Sequence, residues 1–158
     1  KVAPAIDAAT NIPLLHIADP TAAAIRRAGL SRVGLLGTRF TMEQAFYRGR
    51  LVERHGIEVL VPEPGDRERV HRVIYQELCL GRVEDASRAA YREVMRRLVE
   101  RGAQGIVLGC TEISLLVAAE DASVPLFDTT AIHAGAAVEL ALGLGRGWGN
   151  CRGGIGEG

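Results

Sequence analysis

The sequence predicts an α/β domain built on a parallel sheet flanked by helices. Two observations carry the prediction. Three times, a helix-like stretch stops at a glycine and a short apolar run follows. A strand-then-helix unit near the start of the chain is also echoed near its end. Strands alternating with helices of about ten or more residues make βαβ units, which require a parallel sheet. Their crossovers are expected to be right-handed.

Taken in order, the chain opens in what reads as the middle of a helix, so an upstream segment is expected. Ile12-Pro13-Leu14-Leu15-His16-Ile17 reads as a strand, its proline tolerated near a strand start. The helix-like stretch ending at Ala28 stops at Gly29, and Val33-Gly34-Leu35-Leu36-Gly37 follows. Thr41-Met42-Glu43-Gln44 has the form of a capping box for a helix over 45–55, which stops at Gly56 before Ile57–Val61. Asp66 is expected to cap a helix bearing Val70, Val73, Ile74 and Leu78. Asp85 is expected to cap the next, with Ala86, Ala90, Val94 and Leu98 on its core face. That helix stops at Gly102, and Gly105–Gly109 forms the next strand. Glycine at each stop suits the left-handed C′ position. Val124-Pro125-Leu126-Phe127-Asp128-Thr129 then repeats the aliphatic-Pro-Leu opening of residues 12–17, and a helix over 131–142 follows. The two copies lie too far apart for a solenoid of ~20–50-residue repeats and suggest two similar α/β halves. By the same spacing, a counterpart of Cys110 is expected just upstream of Lys1. From Gly143 to Gly158 glycine recurs at almost every second position, a tail expected to be disordered.

Composition narrows the function. The chain has 158 residues, enough for one domain with a core. Its 19 basic and 19 acidic residues cancel, whereas nucleic-acid binders show a basic excess or stripe. No apolar run reaches the ~20 residues of a membrane span. Cys79, Cys110 and Cys151 make no disulfide framework, which points to a reducing compartment, the cytoplasm. The four histidines do not share metal-ligand spacing with one another or with a cysteine. Gly143-Leu144-Gly145-Arg146-Gly147 follows a helix rather than a strand and is rejected as a dinucleotide loop.

The stretch richest in chemistry is Gly105-Ile106-Val107-Leu108-Gly109-Cys110-Thr111-Glu112-Ile113. It places Cys110 at the carboxyl end of a central strand, where open α/β sheets put their ligands. A following helix is expected to lower the thiol pKa and favour thiolate.

The chain resembles the aspartate/glutamate racemase superfamily, and within it the broad-specificity amino-acid racemases. The resemblance rests on Leu14-Leu15-His16-Ile17-Ala18-Asp19, Gly34–Gln44, Glu77-Leu78-Cys79-Leu80-Gly81, Gly109-Cys110-Thr111-Glu112-Ile113 and Phe127-Asp128-Thr129. It runs from Lys1 to about Leu142. It implies two pseudo-symmetric halves facing each other across a cleft, each contributing one proton-transfer residue. Residues 1–28 and 130–142 would then be the remnant of the first half and 29–129 the second half. The first-half residue, Cys or Thr in a motif ending Asn-Thr-x-His, would directly precede Lys1.

By this resemblance Cys110 is one acid/base of a two-base racemase that needs neither pyridoxal phosphate nor metal. Thr38 and Thr111 would bind the substrate carboxylate. Glu112 would either cap the helix after Cys110 or orient the substrate ammonium. Cys79 is either a substrate-binding residue or a packed core thiol. It stands where aspartate-preferring members carry lysine, which points to glutamate or a broader range. His16 and His133 either line the cleft or are structural, while His55 and His71 read as surface residues. The complete protein would be a homodimer acting on a small amino acid, and the chain as written an inactive fragment with unpartnered apolar faces over 2–17 and 131–142. Two alternatives remain: related chemistry, as in hydantoin racemases, maleate isomerases or arylmalonate decarboxylases, and a non-catalytic α/β binding module.

Overall fold

The computed structural model describes residues 2–144. Four parallel strands form one sheet in the order β2-β1-β3-β4: β1 Arg32–Leu36, β2 Glu58–Leu60, β3 Ile106–Leu108 and β4 Leu126–Asp128. Gly34 pairs with both Leu60 and Ile106, which fixes β1 in register with both its neighbours. Among the described residues eight α-helices accompany the sheet: α1 Ala3–Ala9, α2 Ala18–Arg27, α3 Arg39–Glu43, α4 Ala45–His55, α5 Pro64–Gln76, α6 Asp85–Glu100, α7 Ile113–Leu116 and α8 Thr129–Ala141. The expected α/β class and parallel sheet are present.

β1 and β3 are central and buried along their apolar runs, as expected for strands covered on both faces. Their side chains join Ile25 of α2, Leu51 of α4, Ile74 of α5 and Leu98 of α6 in one core. Each such side chain contributes about 1.5–3 kcal/mol on burial. Gly34 is where two elements close tightly. A Cβ there would lie 2.7 Å from Ile106 Cδ1 and 2.9 Å from Leu98 Cδ1, so a side chain at this position would have to displace both.

The glycine stops hold: Gly29, Gly56 and Gly102 follow α2, α4 and α6 with φ of 73°, 62° and 97°. The helix starts differ from expectation. Thr38, not Thr41, caps a helix, and it caps α3; Gln44 precedes α4 without a side-chain bond. Glu63 stands at the N-cap of α5, and Asp66 instead takes Arg97 Nε and Nη2 at 2.8 and 2.9 Å. Glu84 precedes α6, with Asp85 already inside the helix. The buried face of α6 is Ser87, Tyr91, Val94, Met95 and Leu98, with Ala86 left exposed. The larger Tyr91 and Met95 win the core over the alanines, since burial scales with apolar area.

The expected strand over 12–17 is not one. Ile12 is 75% exposed, and among the described residues no strand pairs with this segment. α1 buries none of its residues, and Val138, Leu140 and Leu142 at the end of α8 are exposed, while Ile17 and Ile132 pack against the core and Ala136 is buried. The junction of β4 and α8 is firmly made. Asp128 Oδ1 accepts from the Thr130 and Ala131 amides, and buried Thr129 Oγ1 donates to Leu108 O at 2.8 Å. Of the tail expected to be disordered, residues 145–158, with Cys151, lie outside the described residues.

Candidate active site

The carboxyl ends of β1 and β3 lie side by side, and the loops that leave them touch. The Gly109 amide donates to Leu36 O at 2.7 Å. A Cβ on Gly109 would sit 3.0 Å from that same carbonyl oxygen, and one on Gly37 would sit 3.3 Å from Gly109 O. Backbone against backbone leaves no flexible side chain to yield, so glycine at both positions permits the contact. Thr38 follows one loop and Cys110 the other.

Thr38 Oγ1 accepts from the Thr41 amide at 3.4 Å and lies 3.2 Å from Thr41 Oγ1. On the β3 side, Cys110 Sγ donates to Glu112 Oε2 at 2.9 Å, and Thr111 Oγ1 donates to the same oxygen at 2.6 Å. Glu112 occupies the N-cap position of α7 but makes no side-chain cap bond, so the capping alternative fails.

The thiol differs most from expectation. Half-buried Cys110 is pushed up to about 12, first by burial and then by the carboxylate of Glu112. The Glu112 amide pulls the other way and loses. The expected thiolate-favouring helix is α7, a single turn of four residues. Its few aligned peptide dipoles cannot offset desolvation and a carboxylate in direct contact. Burial and Glu112 together therefore favour the protonated thiol over the thiolate. Glu112 is correspondingly held below the usual carboxylate range by the hydrogen bonds from Cys110 and Thr111.

Cys79 sits in a 3-10 turn, Leu78–Leu80, that packs against α7. It is exposed, which excludes the packed-core alternative. Its proximity is the last of the causes that raise Cys110. Beneath it Glu77 Oε2 accepts from Ser87 Oγ at 2.5 Å, and buried Tyr91 donates to Val70 O at 3.1 Å. Burial, then Cys110 and Glu77, raise the Tyr91 phenol well above its ordinary value.

Cys110, Thr111 and Glu112 thus form one hydrogen-bonded group, with Thr38 on the adjoining loop and Cys79 on the turn packed against α7. The face they share is open, since Thr111 and Cys79 are exposed. Two surface depressions, of about 240 and 370 Å³, lie elsewhere against α6 and touch none of these residues. Among the described residues no group of three or more His, Cys, Asp or Glu side chains could hold a metal ion.

Each of the four histidines has a hydrogen-bond partner within the fold. His16 Nδ1 accepts from the Ala18 amide at 3.2 Å, and burial, then Arg50, hold its pKa below the ordinary value. His133 Nε2 lies 3.0 Å from Leu15 O. His55 is not a free surface residue: its Nε2 is 2.9 Å from Asp19 Oδ1, and Arg50 grips both Asp19 oxygens at 2.7 Å. Nor is His71, whose Nδ1 accepts from the Arg39 amide at 3.2 Å. Both partners are about 30 residues away, and neither pairing has a local sequence signal.

Comparison with known proteins identifies the family and the fold. Residues 1–137 match the model of the Asp/Glu/hydantoin racemase family. A crystal structure from Yersinia pestis, of a protein proposed to be an Asp/Glu racemase, superposes with a TM-score of 0.87 at 62% identity, over 89% of this chain and 61% of that one. An aspartate racemase homologue from Pyrococcus horikoshii OT3 gives 0.82 at 34% identity, over 89% and 62%. The aspartate racemase of Picrophilus torridus, at 22% identity and a TM-score of 0.60 over 82% and 52%, shares the fold. An uncharacterised protein encoded 3′ of pnlA in Pectobacterium carotovorum subsp. carotovorum is 33% identical over 107 residues, 68% of this chain and 69% of its own length. The chain thus spans about three fifths of the length of the first two of these solved structures. With a family match over most of its length and the parallel sheet those structures share, the chain belongs to the Asp/Glu/hydantoin racemase family.

Proposed function

We propose that the full-length protein is a cofactor-independent amino-acid racemase in which Cys110 is one of two proton-transfer residues. The observation that carries the reading is the Cys110 thiol just beyond the carboxyl end of β3, donating to Glu112 Oε2 at 2.9 Å. Inversion at Cα needs a base on one face and an acid on the other. In its resting state Cys110 is the acid. A base from the other half, upstream of Lys1, removes the α-proton. The C–H electron pair passes to the carbanion, and the Cys110 S–H proton is delivered to the opposite face.

The reverse direction needs Cys110 as thiolate, which Glu112 opposes. A substrate ammonium seated on Glu112 neutralises that carboxylate and lets the thiol release its proton. Glu112 then orients the amine and sets the acidity of its neighbour. Thr38 and Thr111 present hydroxyls toward the substrate carboxylate, and Cys79 borders its side chain. Residues 29–129 form the second half, with 1–28 and 130–142 belonging to the first. Glutamate or a broader set of amino acids is the substrate range. The balanced charge and the free Cys79 and Cys110 favour a cytoplasmic protein that binds neither nucleic acid nor membrane, and the family resemblance favours a homodimer. Among the described residues no helix is long and apolar enough to cross a membrane.

The test is α-proton exchange in D₂O by the full-length protein against Cys110→Ser, over acidic, neutral and basic amino acids and a 5-substituted hydantoin. Wild-type exchange of amino acids that the variant loses supports the reading. Exchange no faster than the variant's across the amino acids refutes it, and exchange of the hydantoin alone moves the substrate to the related chemistry.

A further inference from the structure

We infer that Glu77, gripped by Ser87, is a positioning residue that fixes the Leu78–Leu80 turn against α7 and thereby sets which substrate side chains the site accepts. The selectivity part rests on the racemase reading. The anchoring part stands alone.

The turn is built around one residue. α5 ends where Glu77 leaves helical geometry, at φ −125° and ψ −69°. The Glu77 amide still donates to Val73 O at 3.0 Å, while its carbonyl accepts from the Leu80 and Arg82 amides at 2.9 and 3.0 Å. Gly81, at φ 71°, then turns the chain away.

Two side chains hold this turn on the domain. Leu78 is buried in the core. Glu77 Oε2 accepts from the buried Ser87 Oγ of α6 at 2.5 Å. Among the described residues this is the only side-chain hydrogen bond made by residues 77–82, and no ion pair joins them to the rest of the fold. Apolar burial is non-directional, so Leu78 fixes a point and leaves rotation about it free. The bond to Ser87 is directional, and its carboxylate acceptor makes it stronger than a bond between neutral groups. It is the contact that sets the orientation of the turn.

What the turn carries belongs to the site. It packs against α7, the helix entered directly from Glu112. Cys79, at its middle, is exposed and close enough to bear on Cys110. A turn that shifts therefore moves the border of the substrate side chain, while Cys110 and Glu112, on another loop, keep their bond to each other.

Two measurements on the full-length protein test this, with Ser87→Ala and Glu77→Gln beside wild type. Ser87→Ala removes the donor, whereas Glu77→Gln keeps an acceptor oxygen for Ser87. Amide hydrogen exchange across residues 78–82 should be at least about ten-fold faster in Ser87→Ala, as for a lost bond to a charged group, and near wild type in Glu77→Gln. Exchange in Ser87→Ala equal to wild type overturns the anchoring. Glu77→Gln matching Ser87→Ala also overturns it, since charge rather than the bond would then matter. In turnover, Ser87→Ala should raise KM about three- to ten-fold with kcat little changed, and lower the kcat/KM ratio between the best and worst amino acids by about ten-fold, the worth of a methylene-sized change in fit. Glu77→Gln should restore both. A loss shared equally by every substrate, or confined to kcat, overturns the link to selectivity. If wild type turns over no amino acid, the racemase reading falls, while exchange across 78–82 still decides the anchoring.

Discussion

Replacing Glu112 by Gln should make Cys110 more acidic. The thiol donates to Glu112 Oε2 at 2.9 Å, so ionising it places a thiolate against a carboxylate. Two unit charges at that separation repel by about 1.4 kcal/mol at the dielectric constant of water, and by about 3 kcal/mol at half that value. Glutamine removes the repulsion, and its amide can donate to the thiolate. The Cys110 titration midpoint should therefore fall from about 12 by about one to two pH units. It should stay above that of an unperturbed thiol, since burial is the larger cause and is untouched. The assay is the pH dependence of iodoacetamide alkylation, with peptide mass spectrometry separating Cys110 from Cys79 and Cys151. A midpoint that stays put or rises in Glu112→Gln would refute the assignment of Glu112 as the partner that keeps the thiol protonated.

Two further outcomes follow from the packing. Burial pushes the Asp19 carboxyl up, but hydrogen bonds from Arg50 and His55 outweigh it and hold it below its ordinary 3.8. The stability this gives is present above pH 4 and lost as pH falls through the lowered value; Asp19→Asn should cost about 1–3 kcal/mol at pH 7 in urea melts and flatten the acid limb. Gly109→Ala puts a Cβ 3.0 Å from Leu36 O and should cost about 1–3 kcal/mol by the same assay, with alkylation of Cys110 accelerated as its loop lifts from β1. A variant as stable as wild type would show that the two loops are not in tight contact.

What the sequence made legible was local or periodic. Gly29, Gly56 and Gly102 could be read as helix stops because a left-handed C′ residue is a property of a single position. The apolar runs of β1 and β3 could be read because a strand buried on both faces needs nothing else. Cys110 could be placed because a glycine and a cysteine directly follow such a run. The failures share a cause, which is dependence on a distant group. Thr38 and Thr41 are equally good caps in isolation, and tertiary packing chooses between them. Residues 12–17 carry a strand composition, but a strand exists only with a ladder. The sign of the Cys110 shift turns on how deeply the loop is buried and on where Glu112 points. His55 and His71 have polar neighbours in sequence and acquire their partners only when helices meet.

The hydroxyl of Thr129 has a consequence for how this molecule opens. By bonding Leu108 O it fastens the first turn of α8 to the residue before Gly109, while the far end of the same helix leaves Val138 and Leu142 in water. A helix anchored at one end and bare at the other unzips from its free end. Amide hydrogen exchange along α8 should therefore run as a gradient, fast beyond Val138 and slow near Ala131. Its slowest amides should exchange only when the β3–β4 pair separates, the same event that frees the Cys110 loop.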